Sequence, residues 1–395
     1  MKNNKGFNLF TVIIIICATS IISAITVGVI VNNGYRNNKA INYKELANDA
    51  ALKDFLDAYT NITDNYYEDI DKEKMLDKAV DAMLRYLDET YTTYLNDDEK
   101  KALEEKLSGT YEGIGIEING PKIVGVLKNS PAEKAGIKIG DELLSINNTD
   151  VTEQNGNYIS VLIKTSASKP IEIKVLREEE ELTFWVSVET ITSKDIVYEV
   201  KDNNIGYLGI SIFSKTLTSQ VEEALRELES EGIQKLIIDL RGNTGGYLDT
   251  AEGVASLFLK KGDLIYSLED KNDKTSYYDQ TTTRRTYPIV VLMNGNSASA
   301  SEILAAALKD SYGAVIVGEK SYGKGKVQQT YNLKDGSMAK YTSARWLRPN
   351  GVCIDGVGIK PDYQVELYVE YGEDGKIISV KDTQLEKAIE VISTM

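Results

Sequence analysis

The chain has 395 residues, 42% hydrophobic and 27% charged, with 30 Gly and 6 Pro, enough for two or three globular domains and far from disordered, collagenous or coiled-coil composition. A formal net charge of −15 excludes the basic surface on which nucleic-acid binding depends. Cys17 and Cys353 are too few for a disulfide framework or a zinc site, and no histidine is present, which excludes Ser-His-Asp and Cys-His catalysis, His-ligated metals and imidazole acid–base chemistry. Any catalysis must use carboxylates, Lys, Tyr, Ser or backbone amides, and no cofactor or metal is expected.

In chain order, the first feature is an uncharged run of 23 residues from Leu9 to Val31, long enough to cross a bilayer as a helix. Lys2 and Lys5 precede it and Arg36 and Lys39 follow. Positive charge ahead of a first helix predicts a single-pass anchor with everything after residue 40 extracytoplasmic. A signal peptide cleaved near Ser23-Ala24 is the competing reading; it expects a shorter apolar run and a small-x-small site at its end. Residues 41–107 read as packing helices: Leu52, Phe55, Leu56, Tyr59 and Ile62 recur at helical spacing, as do Met75, Leu76, Ala79, Met83, Leu84 and Leu87. Asp97-Asp98 is the predicted N-cap of a further charged helix. Residues 108–190, rich in glycine, read as short strands and turns. From 191 to 395 strands and helices alternate: strands at 205–213, 235–240, 264–268, 288–293 and 314–318, helices at 217–231, 248–259 and 301–309, and a polar loop or hairpin at 270–285. Such alternation predicts an α/β core.

Tyr111-Glu112-Gly113-Ile114-Gly115-Ile116, followed by SPAEKAGIKIGDELLSINNTDV at 130–151, resembles a PDZ domain. That family binds a peptide C-terminus as an added strand, its carboxylate held by backbone amides of a glycine loop. The resemblance implies that role for Gly113, Ile114 and Gly115.

With histidine absent, a serine activated by lysine is the chemistry to seek. Ser166–Lys169 and Ser321–Lys324 have S-x-x-K spacing, but the S-D-N and K-T-G partners of penicillin-binding enzymes are missing, as is a G-x-S-x-G elbow. In NGNSASASEILAAALKD (294–310) a β-run ends in a small-residue turn before a helix. A serine there sits where free helix amides can hold an oxyanion, although Ser297 or Ser299 could equally be a simple N-cap. EKSYGKGKVQQ (319–329) sets Lys324 between glycines, and IIDLRGNTGG (237–246) ends in a glycine pair able to present N–H groups.

Together with the PDZ pattern, these motifs resemble the carboxyl-terminal processing proteases, tail-specific serine peptidases with a Ser-Lys dyad. The resemblance runs from about residue 50 to the end and includes LDETYTTYL (87–95), GVGIKPD (356–362) and QLEKAIEVI (384–392). It implies Ser299 as nucleophile, Lys324 as general base, and Gln328 as the residue orienting that lysine. The N–H groups of Gly245 and Ala300 become the oxyanion hole, with Gly246 as substitute for Gly245, and the core is expected to be of the ClpP and crotonase type. One departure stands out: Asn243-Thr244 occupies the place where the family often has Asn-Pro. Glu302 matches the family motif and is expected to serve the helix start. Lysine titrates near pH 10.4 in water, so Lys324 must be buried to act as a base at neutral pH. Expected partners are protein substrates with free, unstructured C-termini and, through residues 9–31, a bacterial cell membrane; a homo-oligomer is compatible with the sequence. The competing classes are a PDZ adaptor with an inactive core and a crotonase-like CoA enzyme, the latter at odds with an external location.

Overall fold

The computed structural model describes residues 48–166, 169–282, 285–333, 335–371 and 377–395. The expected anchor at 9–31 lies outside them, and no helix among the described residues is long and apolar enough to cross a membrane. The chain divides into two units, 1–78 and 79–395.

In the first unit, α1 (Ala50–Asn65) is capped by Asp49, whose carboxylate accepts the N–H groups of Ala51 and Leu52. The packing expected of α1 is not observed: none of its residues is buried, and Phe55, Leu56 and Ile62 are about half exposed. α2 (Lys72–Tyr86) buries Leu84 alone, leaving Met83 63% exposed.

The second unit begins within α2. Residues 87–107 are not all helical as expected: β1 (Thr93–Leu95) pairs antiparallel with β18 (Met338–Leu347), because its extended TYL run completes a sheet edge. α3 (Asp97–Ser108) starts one residue earlier than predicted. Asn96, not Asp97, is its N-cap, in a capping box with Glu99; Asp97 and Asp98 lie in the first turn, where negative charge favours the helix dipole.

A small β-domain follows: β2 (Thr110–Gly113), β3 (Ile116–Asn119), β4 (Lys122–Val126), α4 (Pro131–Ala135), β5 (Glu142–Ile146), β6 (Thr149–Asp150), α5 (Gly156–Thr165), β7 (Ile171–Arg177), β8 (Glu180–Val186) and β9 (Glu189–Thr192). Its sheet runs β3-β4-β5-β7-β8 around a core of Ile123, Leu143, Ile146, Ile159, Ile173 and Val175. The SPAEKAG run folds as its chemistry dictates: Ser130 caps α4, Pro131 takes the first helical position, and Gly136 closes the helix at φ 95°. Arg177 holds Asp141, 1% exposed, through bonds from Nε and Nη2, pinning the turn after Gly140 to β7.

The largest core belongs to β10 (Ile196–Lys201), β11 (Ile205–Ile210), α6 (Leu217–Ser230), β12 (Lys235–Asp239), α7 (Leu248–Ser256), β13 (Leu264–Asp270), β14 (Lys274–Tyr278), β15 (Ile289–Met293), α8 (Ala300–Ala307), β16 (Val315–Gly318), β17 (Lys326–Asn332), β18, β19 (Tyr363–Gln364), β20 (Tyr368–Tyr371), β21 (Ile377–Lys381) and α9 (Thr383–Ser393). The central sheet runs β10-β11-β12-β15-β16-β19, all neighbours parallel except β10 and β11. β12 and β15 are apolar on both faces because helices cover both. Leu236, Ile238 and Val291 face α6, α7 and α8; Ile237, Val290 and Leu292 face α9. Arg241 then ties the end of β12 to α9, its guanidinium bridging Asp239 and Asp382. A second sheet, β1-β18-β13-β14 with β17 on β18, contains two long strands that the sequence reading left unassigned. The polar 270–285 run does form a hairpin, β14 pairing with β13.

Candidate active site

Three segments reach one place because they leave the C-terminal ends of adjacent parallel strands, where α/β sheets bind ligands. The glycine loop follows β12, the serine turn follows β15, and the lysine loop follows β16. Together they line a cavity of about 340 Å³ whose walls include Gly245, Gly246, Ser299, Lys324 and Gln328, closed by Leu103, Lys106 and Leu107 of α3.

Ser299 has φ 57° and ψ −116° at the start of α8, a conformation a side-chain-bearing residue seldom adopts. The strand–turn–helix geometry is that of a nucleophile elbow, although no G-x-S-x-G occurs. Its neighbours are committed elsewhere. Ser297 is fully buried, its hydroxyl donating to Leu240 O at 2.8 Å, and the Ser301 hydroxyl donates to Asn243 O. Ser299 alone of the three lines the cavity.

Glu302, fully buried one turn into α8, organises both chemical segments. One carboxylate oxygen accepts the Ser299 N–H at 2.8 Å and the Lys324 N–H at 2.9 Å; the other accepts the Gly323 N–H at 2.7 Å and the Ser321 hydroxyl. Burial pushes its pKa up, while these hydrogen bonds hold it back. The same Ser321 oxygen receives the Ile359 N–H, and Gly356 N–H donates to Gly323 O. The GVGIKPD stretch therefore braces the lysine loop. A side chain at Gly358 would meet Ser321 O at 2.4 Å, so only glycine lets the two loops approach.

The Lys324 pKa is held below the ordinary lysine value, first by burial and then by the charge of Lys340; Glu89 and Glu302 pull it the other way. Its ammonium lies over the Tyr91 ring, 4.7 Å from the centroid, and no hydrogen bond joins it to Ser299 or Gln328. The expectation that Gln328 orients Lys324 directly is not met in this arrangement. Gln328 Nε2 donates instead to Thr342 Oγ1 at 3.2 Å, and Thr342 donates to Glu89 at 2.6 Å. The cause is strand register: Gln328 stands opposite Thr342 across a bulge at Val327/Gln328. Glu89 also accepts from Thr92 and Lys326, so the LDETYTTYL stretch supports the floor of the cavity.

The glycine loop also departs from expectation. The Gly245 N–H donates to Asn243 Oδ1 at 2.8 Å, so it is not available as an oxyanion donor here. Asn243, fully buried, also gives its amide to Ile210 O and takes the Ala298 N–H on its carbonyl. This network supplies the loop with the rigidity that a proline at 244 would otherwise give. Next to Gly245 stand Gly246, at φ 152°, and Ala300, whose N–H opens α8 without an intrahelical acceptor. Gly245 keeps a steric role, since a Cβ there would lie 2.9 Å from Ser299 Cβ.

A second cavity of about 210 Å³ lies in the β-domain between β3 and α5, lined by Gly113, Ile114, Gly115, Ile116, Ser160, Ile163, Lys164 and Glu105 of α3. Gly115 has φ 80° and its Cα faces Ser130, with no room for a side chain. Lys164 Nζ and Glu105 Oε1 form an ion pair of 2.5 Å at its rim.

Residues 204–365 match Peptidase family S41, 122–177 match the PDZ domain, and 23–99 match the activating protease CtpB N-terminal domain. The chain is 34% identical to the carboxy-terminal processing protease CtpA of Bacillus subtilis over 92% of this chain and 78% of that one. The chain belongs to the carboxy-terminal processing protease family. The CtpB protein of the same species is 36% identical over 80% of this chain and 68% of its own. A probable CtpA-like serine protease of Staphylococcus epidermidis is 31% identical over 92% of this chain and 75% of its own.

As a carboxy-terminal processing protease, the protein is a serine-type peptidase with a PDZ domain. The glycine, serine and lysine motifs of the sequence line one cavity, but nothing in the sequence signalled the parts that Glu89, Tyr91 and the Asn243 network take around it. Sequence reading also gave Glu302 too local a part. The available signal for Glu302 was its three-residue spacing from Ser299, which fixes the helix start but says nothing of the lysine loop twenty residues later.

Proposed function

We propose that this protease is a membrane-anchored, extracytoplasmic endopeptidase that recruits protein C-termini through its PDZ groove and cleaves with Ser299 and Lys324. The observation that carries the reading is the shared cavity: a serine in a strained turn at a helix N-terminus and a half-buried lysine with depressed pKa, both backbones held by Glu302.

Lys324 in its neutral form takes the Ser299 proton as Oγ attacks a peptide carbonyl. The N–H groups of Gly246 and Ala300 bind the developing oxyanion, and the lysinium returns its proton to the departing amine. Water, deprotonated by Lys324, then hydrolyses the acyl-enzyme. The step requires Lys324 to leave the Tyr91 ring and reach Ser299, a rotation of an unbranched side chain. The cleft between β3 and α5 suits a peptide tail added as a strand, with its carboxylate toward the Gly113–Gly115 loop and Lys164. The uncharged run at 9–31 and its flanking lysines support the anchor.

Ser299→Ala and Lys324→Ala should each abolish turnover of an unstructured, free-acid peptide while leaving Tm nearly unchanged. Retained turnover in either variant overturns the dyad; loss accompanied by unfolding returns Ser299 to a capping role.

A further inference from the structure

The catalytic cavity carries a charge pattern that the dyad does not use. Its lining includes Lys106, Lys326 and Lys340 besides Lys324, and not one carboxylate, in a chain whose net charge is −15. Lys326 is committed, to Glu89 at 3.3 Å and Asp355 at 3.8 Å. Lys106 and Lys340 form no ion pair among the described residues. Lys106 comes from the last turn of α3 and Lys340 from β18, where it stands directly across from Thr330; both line the cavity. In the β17–β18 register Gln328 stands opposite Thr342 and Thr330 opposite Lys340, and of these Gln328, Thr330 and Lys340 line the cavity. The rest of the lining mixes apolar side chains such as Leu103, Leu107 and Val327 with the polar Thr244, Gln328 and Thr330.

Unpaired cations lining one cleft without a carboxylate raise its positive potential, and the arrangement gains from an anion bound there. The substrate occupying the cleft is a peptide, so the anion at hand is a carboxylate. We propose that Lys106 and Lys340 form a subsite for an acidic side chain, Asp or Glu, in the substrate segment next to the scissile bond. The inference rests on the reading that Ser299 and Lys324 perform the cleavage. Its consequence is a second criterion for substrate choice: the PDZ groove reads the terminus, and the two lysines read a residue closer to the bond that breaks.

The test is a set of free-acid peptides sharing the same last four residues, in which Asp is placed at each position around the cleaved bond and compared with Asn there. For the full chain, Asp should raise kcat/KM about 2- to 5-fold over Asn at one or two positions. That advantage should shrink as salt is raised. Lys340→Gln and Lys106→Gln should each reduce it and the double variant erase it; Lys106 is exposed on α3, so its variant leaves folding unaffected. Lys340→Glu should favour Lys over Asp at the same position. The ratio should persist when both peptides are amidated; a ratio that vanishes on amidation assigns the lysines to the chain terminus and overturns the side-chain reading. Equal turnover of Asp and Asn peptides at every position by an enzyme that Ser299→Ala silences overturns the subsite alone. Turnover that survives Ser299→Ala overturns the reading of the site beneath it.

Discussion

Glu302 meets four donors with two oxygens, and two of those donors are the backbones of Ser299 and Lys324. Glu302→Gln turns one acceptor into an NH₂ group that faces N–H or O–H donors. The cost should be about 1–3 kcal/mol of stability, with kcat reduced at least ~10-fold because nucleophile and base lose their common anchor. A Tm shift without a kcat loss would show that Glu302 serves the helix alone. The charges around Lys324 also set a pH dependence. In the proposed mechanism neutral Lys324 is the active form, so kcat/KM should rise with pH through the Lys324 pKa, and burial with Lys340 places that limb below the ordinary lysine range. Lys340→Gln removes a like charge, stabilises the lysinium and should move the limb to higher pH. The opposing charges are Glu89 from the loop after α2 and Glu302 from α8. A limb indifferent to residue 340 would mean that another group titrates.

At the scale of elements, α3 is the piece that touches both cavities. Leu103, Lys106 and Leu107 line the catalytic one, and Glu105 lines the PDZ groove, where it pairs with Lys164. In the proposed binding mode a substrate carboxylate competes with Glu105 for the Lys164 ammonium. Both side chains are about 40% exposed, so the pair is worth at most ~1 kcal/mol. Glu105→Gln should tighten binding of a free-acid tail about 2- to 5-fold, read by fluorescence anisotropy, and leave an amidated tail unchanged. Equal effects on both peptides would remove Lys164 from carboxylate recognition. The central sheet plays a different part: β12, β15 and β16 end together, and that alone brings loops from residues 242–247, 294–299 and 319–325 to one point.

For the whole molecule, the proposed division of labour separates recruitment from chemistry. Amidating the terminus of a cleavable peptide should raise KM with little change in kcat, since the PDZ groove loses a charge that never enters the reaction. An equal KM for acid and amide would leave the PDZ domain without a role in selection. The proposed anchor predicts that the mature protein in the membrane fraction yields peptides spanning Asn32 to Lys39 joined to the preceding segment. A soluble form beginning near residue 25 would instead establish cleavage.

Residue chemistry and local pattern were enough to determine the absence of histidine catalysis, the alternating α/β core and the small-residue turn that holds Ser299. These are local: each depends on neighbours a few positions away, and hydrophobic runs with turn residues encode them directly. Pairing across long separations is not encoded in this way. β1 joins β18 across more than two hundred residues, Gln328 takes Thr342 because of a bulge in strand register, and the Gly245 amide is claimed by an asparagine two residues back because the loop is folded over Ile210. Glu302 shows the boundary most clearly. Sequence placed it at the start of a helix; only the convergence of β15 and β16 makes its carboxylate the common acceptor for the Ser299 and Lys324 backbones, since a buried acceptor takes whichever donors the tertiary fold brings within 3 Å.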